Sequence, residues 1–164
     1  PVMDRIALFL AERECRKILF IFTSQAEARV SYAWYRNNGF FYIAGHYGIT
    51  EEDCCNVIIS PDDPMLREVL RTALLASSEK VAIISATAVY NHHLAGIIAD
   101  FGRRPNVDFE QITLSHVPRE VSVGSYVDIK CDLIVDRLLD LFYRRYAERK
   151  PQVAEIIYPE FVSC

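Results

Sequence analysis

The sequence is sparing with the residues that punctuate, cross-link and anchor a chain. Six glycines and seven prolines are scattered over 164 residues. That is too few for a collagen-like or low-complexity chain, and no disordered tail stands out. No apolar run approaches the roughly 20 residues needed to cross a bilayer, and nothing at the amino terminus reads as a secretory leader. The five cysteines (Cys15, Cys54, Cys55, Cys131 and Cys164) are odd in number, two are adjacent, and none forms a C-x-x-C pair. This argues against a disulfide framework or zinc site and fits a reducing cytosol. No G-x-G-x-x-G follows a strand, and neither a P-loop nor a G-x-S-x-G elbow is present, which removes the common dinucleotide, nucleotide and hydrolase signatures. His92 and His93 are neighbours on a helix and point about 100° apart, so they cannot easily share a metal ion. No cofactor and no metal is expected. A net charge of −4 does not suit a chain that binds nucleic acid over its whole surface. The chain opens with Pro1 rather than Met, as expected of a processed product or a fragment.

What is present is apolar substance. Hydrophobic residues make up 51% of the chain and charged ones 24%, enough for one compact domain with a sizeable core. The pattern predicts a helix over 2–14, then a short branched and aromatic strand, "KILFIFT" (17–23). A helix over 28–47 stops at Gly48. "CCNVIIS" (54–60) is a second strand. A helix follows, capped by Asp63 with Pro64 at its first position and an apolar stripe of Leu66, Val69, Leu70, Ala73 and Leu74. "KVAIISA" (80–86), a helix over 90–104 and "EQITLSHV" (110–117) come next. An extended crossover at 121–126, a long helix over 128–148 and a final extended piece at 153–162 complete the chain. The basic run Arg144, Arg145, Arg149, Lys150 closes the long helix and suits its C-terminal dipole.

Strands and helices alternate, and the strands are continuous apolar runs. Such strands are buried on both faces, which predicts an α/β fold of three layers, α/β/α, around a mostly parallel sheet. Ligands of such sheets bind beyond the carboxyl ends of the strands. The residues there are Thr23, Ser24 and Gln25; Ser60; Ser85, Ala86 and Thr87; and Ser115 and His116. They are small, polar and mostly uncharged, suited to a neutral polar ligand. The acidic run Glu51, Glu52, Asp53 precedes a strand and falls at the opposite edge, where a phosphoacceptor site would not lie.

"WYRNNGFFYIAGHYGI" (34–49) sets an arginine among aromatics and a glycine inside a predicted helix. A buried strand, a polar loop and then Arg36, Asn37, Asn38, Gly39, Phe40 resemble the effector-binding domain of lactose-repressor-type bacterial regulators. That family shares its fold, the type I periplasmic-binding-protein fold, with periplasmic sugar-binding proteins. Further stretches resemble it in order. "VAIISATAVYNHHLAG" supplies Asn91 and Ala95, "VDRLLDLFYRR" the long late helix, and "AEIIYPEFV" the closing segment. The resemblance covers nearly the whole chain. The sequence departs from it at His92, where the family often has Asp, and at Ser115–Pro118, where the family often ends a strand with Gly-aromatic-Asp. Spacing from the third strand also favours Thr87 as the counterpart of the family's Asn.

The resemblance implies the second lobe of a two-lobed domain, with its core at about residues 15–120. The flanks 1–14 and 121–164 would pack with a first lobe that has no counterpart here. It implies a small-molecule effector, by default a sugar or sugar derivative, held by Arg36, Ser24, Gln25, Thr87, Asn91 and His116. In it Gly39 allows close packing of its helix on the sheet. DNA would be read only by an amino-terminal domain not in this sequence; a GntR-type winged helix would suit the spacing. Simpler roles stay open: Arg36 lying along Trp34 or Tyr32, Asn91 as a helix cap, His116 as a core histidine. Two other functions also stay open: a transport-type solute-binding protein, and a small α/β enzyme using Ser24, Thr87 or His116. The late helix is apolar almost all round, which predicts a homodimer that covers it.

Overall fold

The computed structural model describes residues 2–37, 39–75, 78–87, 90–104, 106–114, 124–128, 130–148 and 157–163, without the side chains of 32–34, 36–37, 91–92 and 95. Helix α1 (Val2–Glu12) leads into strand β1 (Cys15–Phe22). Helices α2 (Gln25–Asn37) and α3 (Phe40–His46) and a short 3-10 turn (Glu51–Asp53) lead to β2 (Cys54–Ile58). Then come α4 (Leu66–Leu75), β3 (Lys80–Ser85), α5 (Tyr90–Ala99), β4 (Phe109–Thr113), β5 (Ser125–Asp128), α6 (Cys131–Tyr146) and β6 (Glu160–Val162).

The strands form one sheet in the order β2-β1-β3-β4-β5-β6. All neighbours are parallel except β5 and β6. Side chains of β1 alternate between two cores, as the two-residue period of a strand requires. Ile18, Phe20 and Phe22 face α1, α2 and α3, packing with Met3, Ile6, Leu10, Tyr35 and Phe40. Leu19 and Ile21 face α4 and α5, packing with Leu66, Leu70, Tyr90, Leu94 and Ile98. The expected three-layer, mostly parallel α/β architecture is therefore present. Each fully buried side chain of this size contributes about 2 kcal/mol of transfer free energy.

Several details differ from the sequence expectation. The helix expected over 28–47 starts earlier and is broken into α2 and α3. The break is at Gly39, whose φ of 74° lies in the left-handed region. No heavy atom lies within 4 Å of where a Cβ would sit on Gly39, so this glycine serves a change of chain direction and not close packing on the sheet. Pro64 lies in the turn before α4 rather than at its first position, while Asp63 accepts the Met65 N–H at 2.8 Å. Helix α5 ends at Ala99, short of 104. The crossover foreseen at 121–126 contributes a paired strand, β5, preceded by Gly124, where a Cβ would meet the Gln111 carbonyl oxygen at 2.4 Å. Only glycine allows that approach. Helix α1 buries Met3, Ile6, Ala7, Phe9 and Leu10 within this chain, with the ring of Phe9 edge-on to that of Phe161 on β6 at 5.2 Å. Helix α6 behaves otherwise. None of its 16 residues is buried, and Leu138, Leu139, Phe142 and Tyr146 are 60–65% exposed.

Candidate functional site

Chain order and strand order together locate the site. From β1 the chain passes through α2 and α3 to β2 on one side. It then passes through α4 on the opposite layer to β3, on the other side of β1. The winding direction thus reverses between β1 and β3, the point at which sheets of this topology form their ligand crevice. The β1–β3 register ends at Ile21 beside Ser85. Two residues further on each strand are Thr23 and Thr87.

The residues after β1 are organised by helix capping. The Ser24 hydroxyl accepts the Glu27 N–H at 3.2 Å. In return one carboxylate oxygen of Glu27, Oε2, accepts from both the backbone N–H and the hydroxyl of Thr23, the latter at 2.7 Å. Ser24-Gln25-Ala26-Glu27 is thus a capping box reaching one residue further back than usual. Gln25 is exposed at the first position of α2. Two residues beyond β3, the Thr87 Oγ1 is buried and has no hydrogen-bond partner among the described residues. Such a group costs about 1–3 kcal/mol to leave unsatisfied. Below it, the hydroxyls of Ser85 and Thr113 lie 3.4 Å apart, both buried.

One fully buried tyrosine lies in each of the two cores flanking the sheet. Tyr90, first in α5, donates its phenol hydrogen to the Ile59 carbonyl oxygen beyond β2, and Ile59 donates its own N–H to the Phe22 carbonyl at 2.9 Å. Burial, and then the Glu27 carboxylate, push the Tyr90 phenol up to about 12. The same two causes raise Tyr35 on the other layer well above its ordinary value. Both phenols therefore stay protonated at neutral pH. Glu27, the common electrostatic neighbour of a tyrosine in each layer, sits over the crest of the sheet.

Of the residues expected to bind a ligand, Ser24, Gln25 and Thr87 come together at this crevice. Asn91 is the second residue of α5, close by along the backbone, with its side chain outside the described residues. Arg36 lies in the last turn of α2, eleven residues or about 16 Å of helix beyond Gln25, and its side chain is likewise outside the described residues. His116 and Ser115 lie outside the described residues altogether. Sequence reasoning missed Glu27 and Tyr90. The Ser-x-x-Glu spacing was a legible sign of the first.

The opposite edge of the sheet holds different chemistry. Glu110 is fully buried and pairs with Lys80 at 2.5 Å, with Arg13 at 4.0 Å. Burial pushes the neighbouring Cys15 thiol up to about 12, and the same cause does so for Cys54. Neither is a thiolate at neutral pH, so neither is a ready nucleophile. A groove of about 550 Å³ between α4 and the first halves of β1 and β2 is lined by Ile18, Leu19, Val57, Val69 and Val81. Lys17, Asp53, Glu68 and Thr72 also line it, and it lies away from the carboxyl ends of the strands, where ligands of such sheets bind. Among the described residues no cluster of three or more potential metal ligands occurs, and no helix is long and apolar enough to cross a membrane.

The sequence matches no protein-family profile and no curated protein. The fold does have solved counterparts. The probable maltose operon transcriptional repressor malR of Staphylococcus aureus superposes with a TM-score of 0.73 at 15% identity, over 98% of this chain and 56% of that one. A probable transcription regulator of Thermus thermophilus gives 0.73 at 17% identity, over 99% and 63%. GanP, a glucose-galactose binding protein of Geobacillus stearothermophilus, gives 0.61 at 14%, over 99% and 59%. The chain is thus similar in fold to regulators and to a sugar-binding protein alike, and spans less than two thirds of the length of each.

Proposed function

We propose that this chain is the ligand-sensing lobe of a DNA-binding transcriptional regulator, and that it binds a small polar effector without transforming it. The observation that supports the reading is the reversal of winding between the ends of β1 and β3, with the buried hydroxyls of Ser85 and Thr113 beneath it and the Thr87 hydroxyl left without a partner. A solvent-excluded hydroxyl at the switch point of a parallel sheet is what a hydrogen-bonding ligand would complete. Sugars and sugar derivatives are the first class to consider. Arg36, Ser24, Gln25, Thr87, Asn91 and His116 remain the proposed contacts, with Arg36 able to grip paired hydroxyls through its planar fork.

The act is a shift in population. A ligand held between this lobe and a second body stabilises the closed arrangement only to the extent that it binds that arrangement better. DNA contact belongs to a segment outside these 164 residues, and the working site is the cytoplasm. The bare apolar face of α6 supports a homodimer, with a second copy covering it.

The test uses the full-length protein. Thermal-shift screening against sugars, sugar derivatives and other small polar metabolites should identify a stabilising ligand, and that ligand should change the affinity for operator DNA in a gel-shift assay. Binding without any effect on DNA would favour the second reading, a solute-binding protein of a transport system, which the likeness to the glucose-galactose binding protein supports. Turnover of a metabolite that disappears in His116→Ala would overturn both.

A further inference from the structure

We propose that Glu27 selects the effector: its open carboxylate oxygen receives a hydroxyl pair or an ammonium group of the ligand and turns anionic ligands away. The inference rests on the sensing function just proposed and assigns its specificity.

The geometry is that of an oriented, half-used carboxylate. Glu27 Oε2 is held by the Thr23 N–H and the Thr23 hydroxyl. Oε1 has no hydrogen-bond partner among the described residues. A capping role explains the first oxygen and leaves the second unused. The carboxylate is half-buried, so an ion already fixed in place meets an incoming donor without first losing side-chain freedom. Across the crevice, two residues beyond the paired Ile21 and Ser85, the buried Thr87 hydroxyl lacks a partner. Glu27 is hydrogen-bonded to Thr23, which stands level with Thr87 two residues beyond the paired Ile21 and Ser85, so both groups belong to the same adjacent pair of strand ends. A carboxylate accepts only, and a threonine hydroxyl can do either. The pair therefore suits a group rich in donors, such as vicinal hydroxyls or an ammonium. The segment after β4, Leu114–Pro118, carries no acid, so Glu27 is the acid available to this crevice from the ends of β1, β3 and β4. An anionic ligand group would meet it with like charge.

The alternative, a purely capping glutamate, is separated by one substitution. Glutamine at the same position can still cap the helix but removes the charge. In the full-length protein, thermal shift and calorimetry would be run with hexoses and pentoses, their amino derivatives, and their uronates and phosphates. The wild type should bind neutral or amino members and not the acidic ones. The neutral and amino arms tell whether hydroxyls or an ammonium are received. Glu27→Gln should bind the accepted ligand about ten-fold more weakly or worse, with its ligand-free melting midpoint unchanged. Equal binding by Glu27→Gln, or wild-type binding of acidic members, would overturn this assignment while leaving ligand sensing intact. No response to any member would overturn the proposed sugar-sensing function together with it.

Discussion

Tyr90 donates its phenol hydrogen to the carbonyl oxygen of Ile59. It thereby links the start of α5, which follows β3, to the chain leaving β2, passing the end of β1 that lies between them. Ile59 in turn donates to Phe22 at the end of β1. One fully buried tyrosine therefore ties together the three strand ends around the crevice. Tyr90→Phe keeps the ring and strips Ile59 of its buried hydroxyl partner. Chemical denaturation should show a loss of about 1–3 kcal/mol. A change within about 0.5 kcal/mol would mean that water replaces the phenol and that the link is not structural.

Gly39 gives a test in which the sign decides. If residues 28–47 made one helix, Gly39→Ala would stabilise it by about 1 kcal/mol. With φ at 74° and open space where a Cβ would go, alanine meets no neighbour but must adopt a left-handed backbone. That costs about 1–2 kcal/mol. We expect destabilisation of that size in equilibrium urea unfolding. Stabilisation would restore the continuous helix.

These two positions illustrate what the sequence could convey. Runs rich in apolar residues identified the strands from β1 to β4. Burial along most of the strand holds for β1, β3 and β4, whereas β2, at the edge of the sheet, is partly exposed rather than buried on both faces. The ends of elements were harder. Ser24-Gln25-Ala26-Glu27 reads as a polar loop and puts the start of α2 at Ala28, whereas its polar residues are the helix cap. Gly39 sits in an apolar stretch whose helical period continues on both sides, so periodicity alone passes over the break. For the proposed site, the strand-end rule places Ser24, Gln25 and Thr87 at the carboxyl ends of β1 and β3, since that follows from topology. The role of Tyr90 depends on a contact 31 residues away in the chain, which no local pattern encodes. The buried pair Lys80–Glu110 is long-range in the same way.

The start of β2 carries a pH-dependent anchor. Asp53 accepts from the backbone N–H of Thr50, from Lys17 at 2.9 Å and from the Thr50 hydroxyl. These hold its carboxyl at about 2, below its ordinary 3.8. A depressed acid contributes stability that is fully present above about pH 4, its unfolded value, and that is withdrawn as pH falls through 2. The Lys17 ammonium is raised by the same contact, so its share is present below its ordinary 10.5 and fades only in strong alkali. Asp53→Asn should lower stability at pH 7 and flatten the decline between pH 4 and 2. Parallel acid-unfolding curves for the two proteins would exclude Asp53 as a source of that slope.

The last expectation concerns α6. Val135, Leu138, Leu139, Phe142 and Tyr146 recur at helical spacing and are 54–65% exposed, so they form one apolar stripe. Phe142 and Tyr146 stack at 4.5 Å between ring centroids, which flattens part of it. A contiguous patch of this kind is larger than a monomer in water usually bears. If a second copy covers it, light scattering on this 164-residue chain should give a dimer at micromolar concentration. Leu138→Glu with Leu139→Glu should convert it to a monomer. Because no residue of α6 is buried within the chain, the double variant empties no core position, and its circular dichroism and melting behaviour at low concentration should stay close to the wild type. A wild-type monomer at high micromolar concentration, with α6 amides protected from hydrogen exchange, would show that the stripe folds back on its own chain and that no second copy is needed.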